Sequence, residues 1–267
     1  MAKKGTNGRI KLPSATGKKP KTEQRKISIL IGFPIERAVH QKAFLAFEQI
    51  IQLGFPILQT EYQRTDVARN RMALMLLQSP YTHLLMLDSD HIHQPDIVKR
   101  LAFWALRDPE IKVVGGLNFR RSEPFDPLAF TLGEDGKYYP PVNWPDGLVK
   151  VDAIATCALL ISREVFEMGD PPWFYYDYSR AADDVYPSED MGFAKWCRDH
   201  GVQQYCDTTC TSPHLRDDVV TADTYRNFYA ANKEKFLLWD DANNKPMEPV
   251  KSGGVYLPEM ITRVDVA

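Results

Sequence analysis

The sequence predicts an α/β fold built on a doubly wound, mostly parallel sheet with a small antiparallel addition. Three observations predict it. From Ile27 to Phe119, short apolar runs alternate with segments of helical periodicity. One of those runs, "LLML" (84–87) within "HLLMLD", is continuously apolar, as suits a central strand covered on both faces. An ionised carboxylate cannot lie inside such a strand, so the charge of "DSDHIH" (88–93) must begin where the strand leaves the core. After Phe119 the alternation gives way to a stretch rich in Pro, Gly and turn formers, which predicts short antiparallel strands and a loop.

The elements follow in order. "ISILIGF" (27–33) is a strand, and "HQKAFLAFEQIIQLG" (40–54) places Ala43, Phe47, Ile50 and Gly54 on one helical face. "FPILQTEY" (55–62) returns to strand and closes one βαβ unit. Between Asp66 and Gln78, Ala68, Met72, Met75 and Leu76 fall at helical spacing and lead into the third strand at 83–88. Pro95 suits a first helical turn and opens "PDIVKRLAFWALRD", which runs into the strand "KVVGGLNF". Further on, "LVKVDAIATCALLIS" (148–162) is expected as one strand, with a short helix near Arg163 to Met168. An aromatic loop, "DPPWFYYDYSRAADDVYP", precedes a helix from Ser188 to His200, and a last helix is expected from Thr221 to Trp239. No internal repeat is present.

With 267 residues, 44% apolar and 25% charged, the composition is that of a globular protein. No window approaches a membrane span and the N-terminus lacks the apolar core of a signal peptide, so a cytoplasmic location is expected. Cys157, Cys197, Cys206 and Cys210 are too few for a disulfide scaffold, and the Cys-x3-Cys-x3-His series ending at His214 has the wrong spacing for common zinc modules. Residues 1–26 hold nine Lys or Arg against one acid, a charge of +8, so the remainder must carry −10 to give the chain its −2. A tail so basic and so poor in apolar residues is expected to be disordered. It is a solubilising segment or a contact for nucleic acid or anionic lipid, while the acidic body argues against a duplex-binding groove. The expected organisation is a tail over 1–26, one catalytic domain over 27–240 and a C-terminal extension over 241–267.

Ligands of open α/β sheets bind outside the carboxyl ends of the strands, where Asp88 and Asp90 lie. If the chain stays extended there, residues i and i+2 face the same side and both carboxylates converge. Two hard oxygen ligands suit Mg2+ or Mn2+, and a divalent ion suits a substrate diphosphate. An acid pair that merely caps the next helix would read the same way.

Four stretches occur together: "RTDVARN" (64–70), "LLMLDSD" (84–90), "VVGGLNFRR" (113–121), and "SEDMGFAKWCRDHG" (188–201) followed by "SPHLRD" (212–217). In this order they resemble a GT-A fold glycosyltransferase, similar to family 2 and related prokaryotic and phage enzymes, over roughly Ile27 to Phe236. The resemblance implies a nucleotide-sugar donor and a divalent cation, Mn2+ or Mg2+, as cofactor. It implies that Asp90 binds the metal, that Asp88 reaches the ribose or a metal-bound water and so shares the site, and that His214 completes it. Arg69 and Asn70 fall beside the donor diphosphate, and Pro34 and Glu36 at the end of the first strand are assigned to the donor with them. Glu189 and Asp190 match the acidic pair of inverting members, in which the aspartate is the base. Trp173, Tyr175 and Tyr176 are expected to offer stacking faces to an acceptor whose identity the sequence leaves open. The acidic turn that often reads the nucleobase is reduced here to Glu61, and Ala155, Thr156 and Cys157 stand where glycines often underlie the donor sugar.

Each expectation has a rival. Glu189 and Asp190 would be favoured in the first turn after a Ser188 cap whatever the function. His91 and His93 read as solvated loop histidines. A retaining enzyme on the same fold would carry a similar metal site. A haloacid-dehalogenase-like phosphatase would place its signature on the first strand, whereas here it is the third and His91 and Ile92 follow. An inactive sugar-nucleotide-binding protein is the remaining alternative, which detectable donor hydrolysis would exclude.

Overall fold

A computed structural model describes residues 26–35, 39–61, 63–178, 188–216 and 219–232, with isolated positions 247, 250 and 254. The basic tail short of residue 26, Glu36, most of the C-terminal extension and the expected helical continuation beyond residue 232 lie outside the described residues.

Ile29–Ile35 (β1) begins in the core because its residues alternate between the two sheet faces with no charge among them. It pairs in parallel with Ile57–Glu61 (β2) on one side and His83–Leu87 (β3) on the other. Gln41–Ile51 (α1) joins β1 to β2 and buries Ala43, Phe47 and Ile50, the face that its periodicity predicts. Thr65–Leu77 (α2) joins β2 to β3, and Ile97–Arg107 (α3) leads from β3 to Val113–Leu117 (β4). Every residue of β3 is buried. Leu84 and Met86 join the core on one face, and Leu85 and Leu87 the core on the other.

The expected single strand over 148–162 is three: Leu148–Val151 (β7), Ala153–Ile154 (β8) and Ala158–Ser162 (β9). Breaks at Asp152 and at Thr156–Cys157 redirect the chain, so its pieces serve different sheets. β9 enters antiparallel between β3 and β4. β8 instead joins Ala129–Leu132 (β5) and Tyr138–Tyr139 (β6) in a three-stranded antiparallel addition. The helices Arg163–Glu167 (α4) and Glu189–Asp199 (α5) follow, then Gln204–Thr211 (β10), a strand that the sequence pattern did not reveal. β10 is parallel to β4 and antiparallel to β7, which completes the order β2-β1-β3-β9-β4-β10-β7. The pair His214–Leu215 (β11) and Val219–Val220 (β12) and the helix Ala222–Ala231 (α6) complete the described chain.

The α/β class is thus the one observed, a mostly parallel seven-stranded sheet with helices and a small antiparallel addition. All four cysteines are free and buried. Among the described residues, no helix is long and apolar enough to cross a membrane.

Candidate active site

The carboxyl ends of β1, β2 and β3 open into a cleft of about 540 Å3 whose lining includes Pro34, Thr60, Asp88, Asp90, Arg121 and Tyr176. β3 ends at Leu87, and Ser89 and Asp90 form a turn, so the i, i+2 parity of an extended chain does not apply to the two carboxylates. They do not converge, and each has its own partners.

Asp88 faces Arg69, whose Nη1 and Nη2 donate to Oδ1 and Oδ2 at 3.2 Å each. The Arg69 Nε donates to Oε1 of Glu189 at 3.1 Å. Arg69 is only 3% exposed. Burial works against its charge, but the carboxylates of Asp88, Asp190 and Glu189 hold it firmly protonated. It sits on the face of α2 that also carries Met72, Ala73 and Leu76, and that i, i+3, i+4, i+7 spacing is a signal from which its burial could have been read. Arg69 is therefore a bracket between the end of β3 and the start of α5, not a free group beside a diphosphate.

Asp90 accepts from Nδ1 of His91 at 2.8 Å and lies 3.1 Å from Nε2 of His214. Burial opposes its ionised form, but these two histidines outweigh that and hold the carboxyl far below the usual range. Asp90, His91 and His214 present ligand atoms all within 4.8 Å of one another, the one such group among the described residues, and Asp88 is not part of it. The His214 Nδ1 is 2.9 Å from the Phe119 carbonyl, which can only accept, so the proton is on Nδ1. One carboxylate with two imidazoles is a mixed oxygen and nitrogen donor set of the kind that divalent transition-metal ions accept. The Phe119 carbonyl supplies the outer bond that orients such a ligand.

His91 and His93 are not solvated: each is 1% exposed. The rings of His91 and His214 stack with centroids 4.0 Å apart, and the Nε2 of His91 is buried without a partner. His93 donates from Nε2 to the Asp88 carbonyl at 2.9 Å, and its Nδ1 is 2.9 Å from the Ser212 hydroxyl. Burial pushes its pKa down to about 4, so it is a neutral tie between the turn after β3 and the end of β10.

Asp190 lies in the first turn of α5, where Thr156 donates to its Oδ1 from the hydroxyl at 2.5 Å and from the backbone at 3.3 Å. Its pKa is raised to about 7, by burial first and then by the Glu189 carboxylate, against the lowering influence of Arg69 and Thr156. Its other oxygen has no hydrogen bond among the described residues.

The remaining expected residues divide. Pro34 lines the cleft. Asn70 does not face it: its amide donates to the carbonyls of Asp66 and Phe174, and its oxygen accepts from the backbone N–H groups of Trp173 and Phe174, so it clamps the aromatic loop and has no group left for a donor. Trp173, 1% exposed and packed against Phe166, is core and not an acceptor surface. Tyr176 lines the cleft, its hydroxyl 2.7 Å from that of Thr65. Tyr175 and Tyr176 also line a neighbouring groove on the outer side of α2. A Cβ at Gly192 in α5 would collide with the Tyr175 carbonyl, so only glycine permits this approach of loop to helix. Sequence reasoning missed Arg121, an exposed cation of the cleft whose Nη1 is 3.8 Å from Asp90. The "RR" that contains it was legible, but nothing in the pattern said which of the two turns inward.

No protein-family model matches this chain, and no curated protein matches its sequence. Among solved structures, it is similar to A197 from STIV, with 16% identity, a TM-score of 0.55, and 74% of this chain and 92% of that one covered. It also overlaps glucosyl-3-phosphoglycerate synthase from Mycobacterium tuberculosis, whose structure contains Mn2+, uridine-diphosphate-glucose and phosphoglyceric acid, at 11% identity, TM-score 0.41, and 80% and 82% coverage. A glycosyltransferase involved in glycosylation of the major capsid of PBCV-1 matches at 13% identity, TM-score 0.32, and 75% and 99% coverage. At these identities the likeness is one of fold alone, carried by the first of the three.

Proposed function

We propose that the protein is a glycosyltransferase that moves a sugar from a nucleoside-diphosphate sugar to an acceptor hydroxyl, with a divalent cation and with inversion at the anomeric carbon. The observation that carries this reading is the grouping of Asp90 with His91 and His214, whose ligand atoms lie within 4.8 Å of one another, at the strand ends where α/β sheets bind nucleotides. Asp90 and His214 would hold the cation. When bound, a divalent ion supplies electrostatic stabilisation to a departing diphosphate. Arg121 is the guanidinium placed to add to that stabilisation, since Arg69 is committed to Asp88 and Glu189.

Asp190 is the base of this reading. A carboxylate with a pKa near 7 takes a proton from a hydroxyl more readily than an ordinary one, and Thr156 fixes one oxygen so that the other is free to accept it. Glu189, bound to Arg69, positions the pair. Calorimetric titration of nucleoside diphosphates with Mn2+ and with EDTA tests the proposal. Binding that requires the metal is expected, and equal affinity in both conditions would remove the metal from the reading. A product that retains the donor's anomeric configuration would remove Asp190 as base.

A further inference from the structure

On the other side of Asp90 lies a second cleft of about 590 Å3, lined by His40, Asp90, Arg121, Leu215 and Arg216. Its polar lining is almost wholly made of donors. Arg121 and Arg216 contribute guanidinium groups, and His40 accepts from the Lys42 backbone N–H at Nδ1, so its Nε2 carries the proton. The one acid among the described lining residues, Asp90, already has both oxygens against His91 and His214.

The two arginines are held together by the fold. Arg216 Nη1 donates to the backbone carbonyl of Arg121 at 3.3 Å, and its guanidinium lies 5.8 Å from the centre of the Phe125 ring. Phe125 has a φ of 62°, the left-handed region that a bulky residue adopts only when its surroundings impose it. Among the described residues Arg216 has no carboxylate partner, and Arg121 has only Asp90, at 3.8 Å. Two guanidinium groups lining one cleft, with no more than that single carboxylate between them among the described residues, are an arrangement that an oxyanion would relieve.

We infer that this second cleft is an oxyanion site for a phosphate group, made by Arg216, Arg121 and His40 and adjoining Asp90. The inference rests on the glycosyltransferase reading only for the source of the phosphate, which is either the donor diphosphate reaching past Asp90 or an anionic group on the acceptor.

Isothermal titration of the full chain with inorganic phosphate and pyrophosphate, in EDTA so that no metal contributes, tests the site. Wild type is expected to bind, Arg216→Gln to weaken binding at least tenfold, and Arg216→Lys to fall between, since it keeps the charge and loses the planar fork. Equal binding by wild type and Arg216→Gln overturns the inference. So does binding that survives Arg216→Gln and disappears when residues 1–26 are removed. The source is then read with Mn2+ and a panel of uridine, guanosine, cytidine and adenosine nucleotides. A loss on Arg216→Gln confined to diphosphates over monophosphates assigns the anion to the donor, and unchanged nucleotide affinity assigns it to the acceptor. If phosphate binding depends on Arg216 but no nucleotide binds with Mn2+, the glycosyltransferase reading fails and the oxyanion site stands.

Discussion

The turn after β3 and the first turn of α5 are built alike and end differently. Each offers two acids close in sequence, Asp88 and Asp90 in one, Glu189 and Asp190 in the other. In each, one acid is bound by the same buried arginine, Arg69. The acids left over differ in the way that chemistry requires. Asp90 sits between imidazoles and is held ionised, while Asp190 is buried beside a like charge and holds its proton to about neutral pH. One guanidinium thus divides four carboxylates into two that fix the scaffold and two with opposite proton affinity, the pattern from which a cation ligand and a base are made.

Removing the divider should have the largest effect. Arg69→Met leaves Asp88 and Glu189 without their partner and is expected to destabilise the fold by about 3–5 kcal/mol, read from the urea midpoint at constant m. Destabilisation below about 1 kcal/mol would mean that the acids find other partners.

Next comes Asp190→Asn, which keeps the shape and removes the proton acceptor. Transfer kcat should fall by ~10² or more with nucleotide affinity unchanged. The same variant sharpens the contrast through pH. In wild type the folded state holds the Asp190 proton up to about 7, whereas an unfolded aspartate releases it near its ordinary value of 3.8. Between these pH values the folded chain binds more protons than the unfolded one, so this group's contribution to stability falls as pH rises from about 4 to about 7. Activity should rise over the same window as the base ionises. Denaturation curves and rate profiles of Asp190→Asn should lack both slopes.

Asp90→Ala tests the other remaining acid. Mn2+-dependent nucleotide binding should weaken at least tenfold, and stability should fall by about 1–3 kcal/mol because the buried His91 Nδ1 loses its partner. The smallest effect is expected from removing residues 1–26, which should leave donor hydrolysis as it is. A large fall in kcat would make the tail part of the site.

How much of this was legible depends on how locally each feature is determined. The αβ alternation through β4 and the buried face of α1 follow from periodicity within single segments, and they appear where expected. β10 was missed because its register shifts between Asp207 and Thr211, so Cys206 and Cys210 enter the cores on opposite faces and no alternation survives. The polar residues of that irregularity are satisfied within the fold: Asp207 accepts from the Trp104 indole at 2.9 Å, and Thr208 donates to the Pro145 carbonyl at 2.7 Å. The divergence of Asp88 and Asp90 was hidden for a similar reason, since the strand stops one residue before the first of them. The burial of His91 and His93 depends on the end of β10 crossing over the turn, a contact between residues more than a hundred positions apart that no local pattern encodes.

Asn70, next to Arg69 on α2, grips the aromatic loop wholly through main-chain atoms of Trp173 and Phe174. Such a clasp is indifferent to side-chain identity. The half-buried aromatic positions that follow, Tyr175 and Tyr176, can be exchanged without loosening the join between loop and helix. The molecule therefore has a replaceable rim on a fixed frame, and variation in what the rim contacts can accumulate while the acids beneath keep their places.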